Sequence, residues 1–220
     1  MPETKKKKKI KEFLLTNKIF HTIVVLILLS IIIAPFLPEI NYQVRRLLGL
    51  RYVEEEIFLD TEDDDDERRQ NKIEYISERI TGNHLVIPTI GVSINVVEGN
   101  NDSVLFQGAW RRPNSSTPDK GGNVVITGHR YHYRPPNNRT FYNLDKLEVG
   151  SKIFLFWDGM EYVYETYDKF IVEPTRIDIE NNTEEDILTL YTCHPLWTAE
   201  RRLVVRASLV EVKDYKAASN

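Results

Sequence analysis

The chain has 220 residues, a single cysteine and a formal net charge of -4, from 29 basic and 33 acidic side chains. One cysteine rules out an internal disulfide, and neither Cys nor His recurs at metal-ligand spacing, so no metal and no cofactor is expected. Seven lysines crowd into the first 18 residues, a bias that membrane topology explains better than nucleic-acid binding.

Residues 1–18 read as a basic tail. From Ile19 to Leu37 the run IFHTIVVLILLSIIIAPFL carries no charge except His21. Nineteen helical residues reach roughly 28 Å, close to a hydrocarbon core. A cleaved signal peptide shares this layout, but its apolar region is usually about 7 to 15 residues and ends at small side chains. Here the run continues into Pro35, Phe36, Leu37 and Pro38, so residues 19–38 are expected to be a retained transmembrane signal anchor. Lysines before it, and Glu39 as the first charge after it, put the N-terminus in the cytoplasm and the rest outside the cell membrane.

Residues 39–72 read as a charged stalk, because the stretch RYVEEEIFLDTEDDDDERRQNK opposes burial. Its acidic run Asp63 to Asp66 lacks the spaced ligands and turn glycine of a calcium loop. Val44, Leu47, Leu48 and Tyr52 recur at helical spacing, which predicts a short helix that packs on the domain or lies along the lipid.

Residues 73–213 change to short β-type runs broken by Gly, Pro, Asn and Asp, enough chain for one core. Strands are predicted at His84–Ile87, Ile94–Val97, Asn123–Thr127, Ile153–Trp157, Glu161–Val172, Ile187–Thr192 and Arg202–Val210, with a short helix around Tyr142–Leu147. In RLVVRASLV, Leu203, Val205, Ala207 and Leu209 share a buried face, while Arg202, Val204, Arg206 and Ser208 share an accessible one. The fold class is mainly β, a single closed or nearly closed barrel with short helices, since closure removes exposed strand edges. Residues 214–220 form a C-terminal tail.

Cys193 ends one of these strands. An unpaired thiol in an exported domain is either reactive or a small buried apolar group. A reactive thiol works as the thiolate and needs a base or cation beside it. His21 lies in the membrane segment, His84 opens a strand where a structural role fits, and His132 follows in a Tyr/Pro/Asn-rich loop. His129 stands at the end of the apolar run GGNVVITGHR, just after Gly128, which permits close backbone approach. His194, adjacent to Cys193 in extended chain, points to the opposite face. Arg202 enters the last strand nine residues after Cys193, so a hairpin brings both to one mouth, where a guanidinium fork suits a carbonyl or oxyanion.

Together these residues resemble the sortases, membrane-anchored cysteine transpeptidases of bacterial surfaces. TLYTC is similar to their TLxTC signature, NVVITGHR to the strand carrying their histidine and RRLVVRA to the strand opening with their arginine. The resemblance extends over residues 84–210, and TCHPLWTAERRLVVRA with FYNLDKLEVG look closest to class E, with class D next. It implies the sortase barrel, Cys193 as nucleophile, His129 as general acid and base, and Arg202 as the group that holds substrate and stabilises the oxyanion. Thr192 and Tyr133 are implied to contact substrate. The implied partners are polypeptides bearing an LPxTG- or LAxTG-like sorting signal and an amine acceptor on a cell-wall peptide or pilin. Two other readings stay open at this point. L,D-transpeptidases are also exported and β-rich, but their cysteine follows a Ser-His-Gly element closely, whereas His129 lies 64 positions before Cys193. A non-catalytic tethered β-domain with a buried Cys193 is the other.

Overall fold

The computed structural model describes residues 3–50, 66–132 and 137–214. It divides into two units, residues 1–50 and residues 51–220. Tyr52, most of the acidic run, Tyr133 and the C-terminal tail lie outside the described residues.

In the first unit, α1 (Glu3–Ile33) leads through a tight turn at Ala34–Phe36 into α2 (Leu37–Leu47). The stretch Lys18–Arg45 is long and apolar enough to cross a membrane. Pro35 and Pro38 each sit in the first positions of a helical segment, where a missing N–H costs nothing. Leu37, Ile40, Val44 and Leu47 recur every three or four residues along α2, giving the short helix one apolar stripe.

The second unit opens with α3 (Asp66–Arg79), an element absent from the expected strand list because its first turns are dominated by charge. Its C-terminal half is amphipathic. Tyr75, Ile76 and the following Ile80 pack on Val86, Phe154, Phe156 and Val163. Lys72 donates to the buried carboxylate of Glu161 at 2.7 Å, which fastens the middle of the helix to the sheet.

Eight strands follow: β1 (His84–Ile87), β2 (Val92–Val97), β3 (Ala109–Arg111), β4 (Asn123–Thr127), β5 (Lys152–Trp157), β6 (Met160–Val172), β7 (Ile187–His194) and β8 (Arg201–Asp214). They close into a barrel in the order β1-β2-β3-β4-β7-β8-β6-β5, so the expected closed barrel is what the chain forms. All neighbours are antiparallel except β2 with β3 and β4 with β7. β3 has no counterpart among the expected strands, because three residues carry too little pattern. The short helix expected around Tyr142–Leu147 is a single tight turn at Leu144–Lys146. Trp157 and Met160 flank an Asp158–Gly159 pair with φ of 49° and 91°, the left-handed geometry that a two-residue hairpin requires.

Alternation sorts the side chains into two layers. Leu85, Val124, Ile126, Leu155, Leu188, Leu190, Leu203 and Val205 fill the barrel interior. The outward faces are covered by α3 on one side and, on the other, by the β6–β7 connection, whose Ile179 packs on Val172 and Val204. That cover corrects the reading of β8. Val204 faces outward as expected, yet it is fully buried, because a loop lies over it.

Candidate active site

The strand ladder brings the sequence candidates together. Cys193 and Arg202 are direct partners in the antiparallel β7–β8 pair. Cross-strand partners project to the same face with Cβ atoms about 5 Å apart. Tyr191 pairs with Val204 and Thr189 with Arg206, so the face concerned is the outward one, opposite Leu188 and Leu190. Cys193 is partly exposed there.

His129 arrives from β4. This strand runs parallel to β7 with Asn123 opposite Ile187 and Thr127 opposite Tyr191. Beyond Thr127 the chain continues along β7 through Gly128 to His129. Three bonds hold that extension: Gly128 N–H donates to Tyr191 O at 3.3 Å, Thr127 Oγ1 to Tyr191 O at 3.0 Å, and Thr192 Oγ1 to Gly128 O at 2.7 Å. Gly128 is needed for close approach. A Cβ there would meet the fully buried Phe141 ring at 3.0 Å, tighter than ordinary contact. The Phe141 amide in turn donates to His129 O at 2.9 Å, which closes the histidine loop at its base.

Thr192, expected at the substrate, lies on the inward face, 1 % exposed, with its hydroxyl spent on the Gly128 carbonyl. From that position it ties the cysteine strand to the histidine strand. His194 also turns away from the thiol, as alternation predicts. Its Nδ1 accepts from Arg130 Nη1 at 3.0 Å, which leaves the neutral ring its proton on Nε2. Burial, then the charge of Arg130, holds the His194 pKa below the usual imidazole value.

Arg130 is a residue that the sequence reasoning missed. Its guanidinium is almost fully buried, pairs with Asp145 at 2.9 Å and donates to Tyr142 O and Cys193 O at 3.3 and 3.4 Å. The signal was present in the dipeptide His129-Arg130, but nothing local distinguishes a buried arginine from a surface one. It binds the histidine loop to the backbone of the cysteine itself.

Arg202 is anchored at one corner only. Nη1 donates to the carbonyls of Ala199 and Arg201 at 3.0 and 2.9 Å, whereas Nε and Nη2 make no hydrogen bond among the described residues. Donors therefore remain for an oxygen held over Cys193. Ala199 supplies its carbonyl from a left-handed conformation, φ 56°.

The His129 ring is stacked on that of His132, centroids 4.9 Å apart, and packs on Phe106 at 5.6 Å. Burial, then the neighbouring His132, lowers its pKa, and Asp102 acts weakly against them. His129 thus rests neutral more readily than a free imidazole does. Among the described residues no group of three or more His, Cys, Asp or Glu side chains is arranged around a metal.

The profile of the Sortase domain matches residues 85–210, more than half of the chain. The chain belongs to the sortase family. Sortase D of Bacillus subtilis (strain 168) is 32% identical over 114 residues, 50% of this sortase and 53% of the relative. Sortase A of Listeria monocytogenes serovar 1/2a is 27% identical over 132 residues, 60% of this chain and 57% of the relative. The chain thus spans just over half the length of these relatives. The solved structure of a Clostridium perfringens sortase D5 transpeptidase superposes with a TM-score of 0.51 at 26% identity, covering 72% of this chain and 93% of that one. Tyr133, the remaining expected substrate contact, lies outside the described residues.

Proposed function

We propose that this sortase is a membrane-tethered cysteine transpeptidase in which Cys193, His129 and Arg202 carry the reaction. The supporting observation is the ladder geometry: Cys193 and Arg202 are cross-strand partners, and the parallel β4–β7 register leads to His129 on their flank. The partial exposure of the thiol counts against a purely structural cysteine.

His129 takes the proton of the Cys193 thiol, and the sulfur attacks the threonine carbonyl carbon of an LPxTG- or LAxTG-like signal. Negative charge moves to the carbonyl oxygen, where the open N–H groups of Arg202 stabilise it. As the intermediate collapses, the C–N bond breaks and His129 gives its proton to the departing glycine amine. A thioester remains on Cys193. An incoming amine, from a cell-wall peptide or a pilin lysine, loses a proton to His129 and attacks the thioester. The new amide joins two polypeptides, and Cys193 leaves as a thiolate that recovers its proton from His129. Dividing one difficult amide exchange into two acyl transfers is the gain of covalent catalysis. The anchor at residues 19–38, with the N-terminus cytoplasmic, holds the site outside the membrane near its substrates.

The test is to incubate the full-length protein in detergent with a library of pentapeptide sorting signals plus an amine acceptor, with products read by mass spectrometry. Cys193→Ala is expected to abolish transfer, a loss of at least about 10³-fold. Undiminished cleavage by Cys193→Ala would refute the assignment.

A further inference from the structure

A second imidazole that no step of the reaction uses stands beside His129. His132 follows it by three residues on the same loop, and the two rings are stacked at 4.9 Å with planes 23° apart. Phe106, at the end of the tight turn Asp102–Phe106, packs against both, 5.6 Å from His129 and 5.2 Å from His132. Nε2 of His129 is buried and has no hydrogen-bond partner among the described residues. His132 itself is exposed on the loop.

We propose that His132 is a positioning residue that acts through His129: stacked on it, it opposes a positive charge on the His129 ring and keeps that ring neutral and able to accept a proton in mildly acidic surroundings. Hydration distinguishes the two rings. The exposed ring keeps its water shell when charged, while the enclosed one loses it. Once His132 carries charge, a second charge stacked on it is opposed, and the rings titrate as a coupled pair. The other groups around His129 leave this balance in place. Asp102, on the turn that carries Phe106, pulls the opposite way but ranks last of the three influences. Arg130, next in the chain, has its charge paired with Asp145. Cys193 and Arg202 approach from β7 and β8. The Phe106 ring carries no charge and supplies the wall that holds both imidazoles in register.

The functional consequence rests on the sortase reading, in which His129 must lose and regain a proton in each cycle. The coupling itself does not. It is tested on the full-length protein in detergent micelles with ¹³C-labelled histidine, following the Cε1 resonances through a pH titration in the absence of substrate. His129 and His132 are assigned by single substitution. In the unsubstituted protein the His129 resonance is expected to move in two steps, the first coinciding with the His132 titration. In His132→Phe, which keeps a ring against Phe106 but removes the charge, one step at a higher midpoint is expected. His132→Gln gives the same direction without an aromatic ring, and near-UV circular dichroism checks that both variants are folded. A single-step curve in the unsubstituted protein, or an unchanged His129 midpoint in both variants, overturns the proposal. Two-step titration in a protein that transfers no peptide supports the coupling and counts only against the sortase reading.

Discussion

The two faces of β7 differ in what they ask of their residues. On the inward face Leu188, Leu190 and Thr192 are fully enclosed, and the leucines belong to the apolar core. On the outward face Thr189 and Tyr191 bond polar groups of other elements, and the Cys193 carbonyl accepts from Arg130. Thr189 Oγ1 donates to Asn123 Oδ1 at 2.7 Å, and Asn123 Nδ2 reaches the carbonyls of Ile179 and Asn181. Tyr191 donates to Glu180 at 2.7 Å, and Glu180 also accepts from Arg112. One face sets stability by exclusion of water, and the other sets the position of a loop and a thiol by directional bonds. The same eight residues therefore serve as core and as the edge of a site.

Leu190→Ala should break the comparison hardest. A buried leucine truncated in a packed barrel costs about 3 kcal/mol, read as a lower urea midpoint at unchanged m, while the folded fraction keeps its transfer rate. Thr192→Val preserves shape but leaves the Gly128 carbonyl without its donor, at about 2 kcal/mol. Here transfer should fall as well, with iodoacetamide labelling of Cys193 retained, since the bond lost is the one tying β7 to the histidine strand. Unchanged transfer would show that the inward face has no hold on the site. Tyr191→Phe removes one donor from a carboxylate that keeps Arg112, costing about 1 kcal/mol. Faster proteolysis within residues 173–182, with little change in unfolding, would sharpen the division between the faces. Ala199→Gly has the smallest effect and the opposite sign. Relieving a left-handed alanine should stabilise by about 0.5 kcal/mol, and a fall in transfer would show that this conformation holds Arg202 in place.

How far the sequence reveals this arrangement follows from the reach of each signal. Strands with clear alternation or long apolar runs, such as β4, β6 and β8, are legible because period two is local. β3 is not, since Ala109–Arg111 owes its place to pairing with β2 and β4 rather than to its own pattern. α3 is hidden because its first turn, Asp66 to Arg69, is wholly charged, and its apolar side becomes apparent only against Phe154 and Phe156. Val204 appears accessible on alternation alone, and only a loop distant in sequence buries it. At the site, Cys193, His129 and Arg202 are legible from strand ends and motif. The role of Arg130 and the bond from Thr192 to Gly128 are not, because both depend on partners 63 or 64 positions away.

Placing His129 just past the end of β4, with Cys193 on its parallel neighbour β7, has a consequence for how this sortase can change. Hydrogen bonds between the two strands hold Thr127 and Gly128 against Tyr191 and Thr192, whatever the number of residues that intervene. Exposed turns between the two strands, such as 148–150, can be lengthened or shortened while that register holds. A single residue inserted within β7 would instead invert the alternation of everything after it and swing the sulfur toward the barrel's centre. Length variation is thereby tolerated between the strands and not within them.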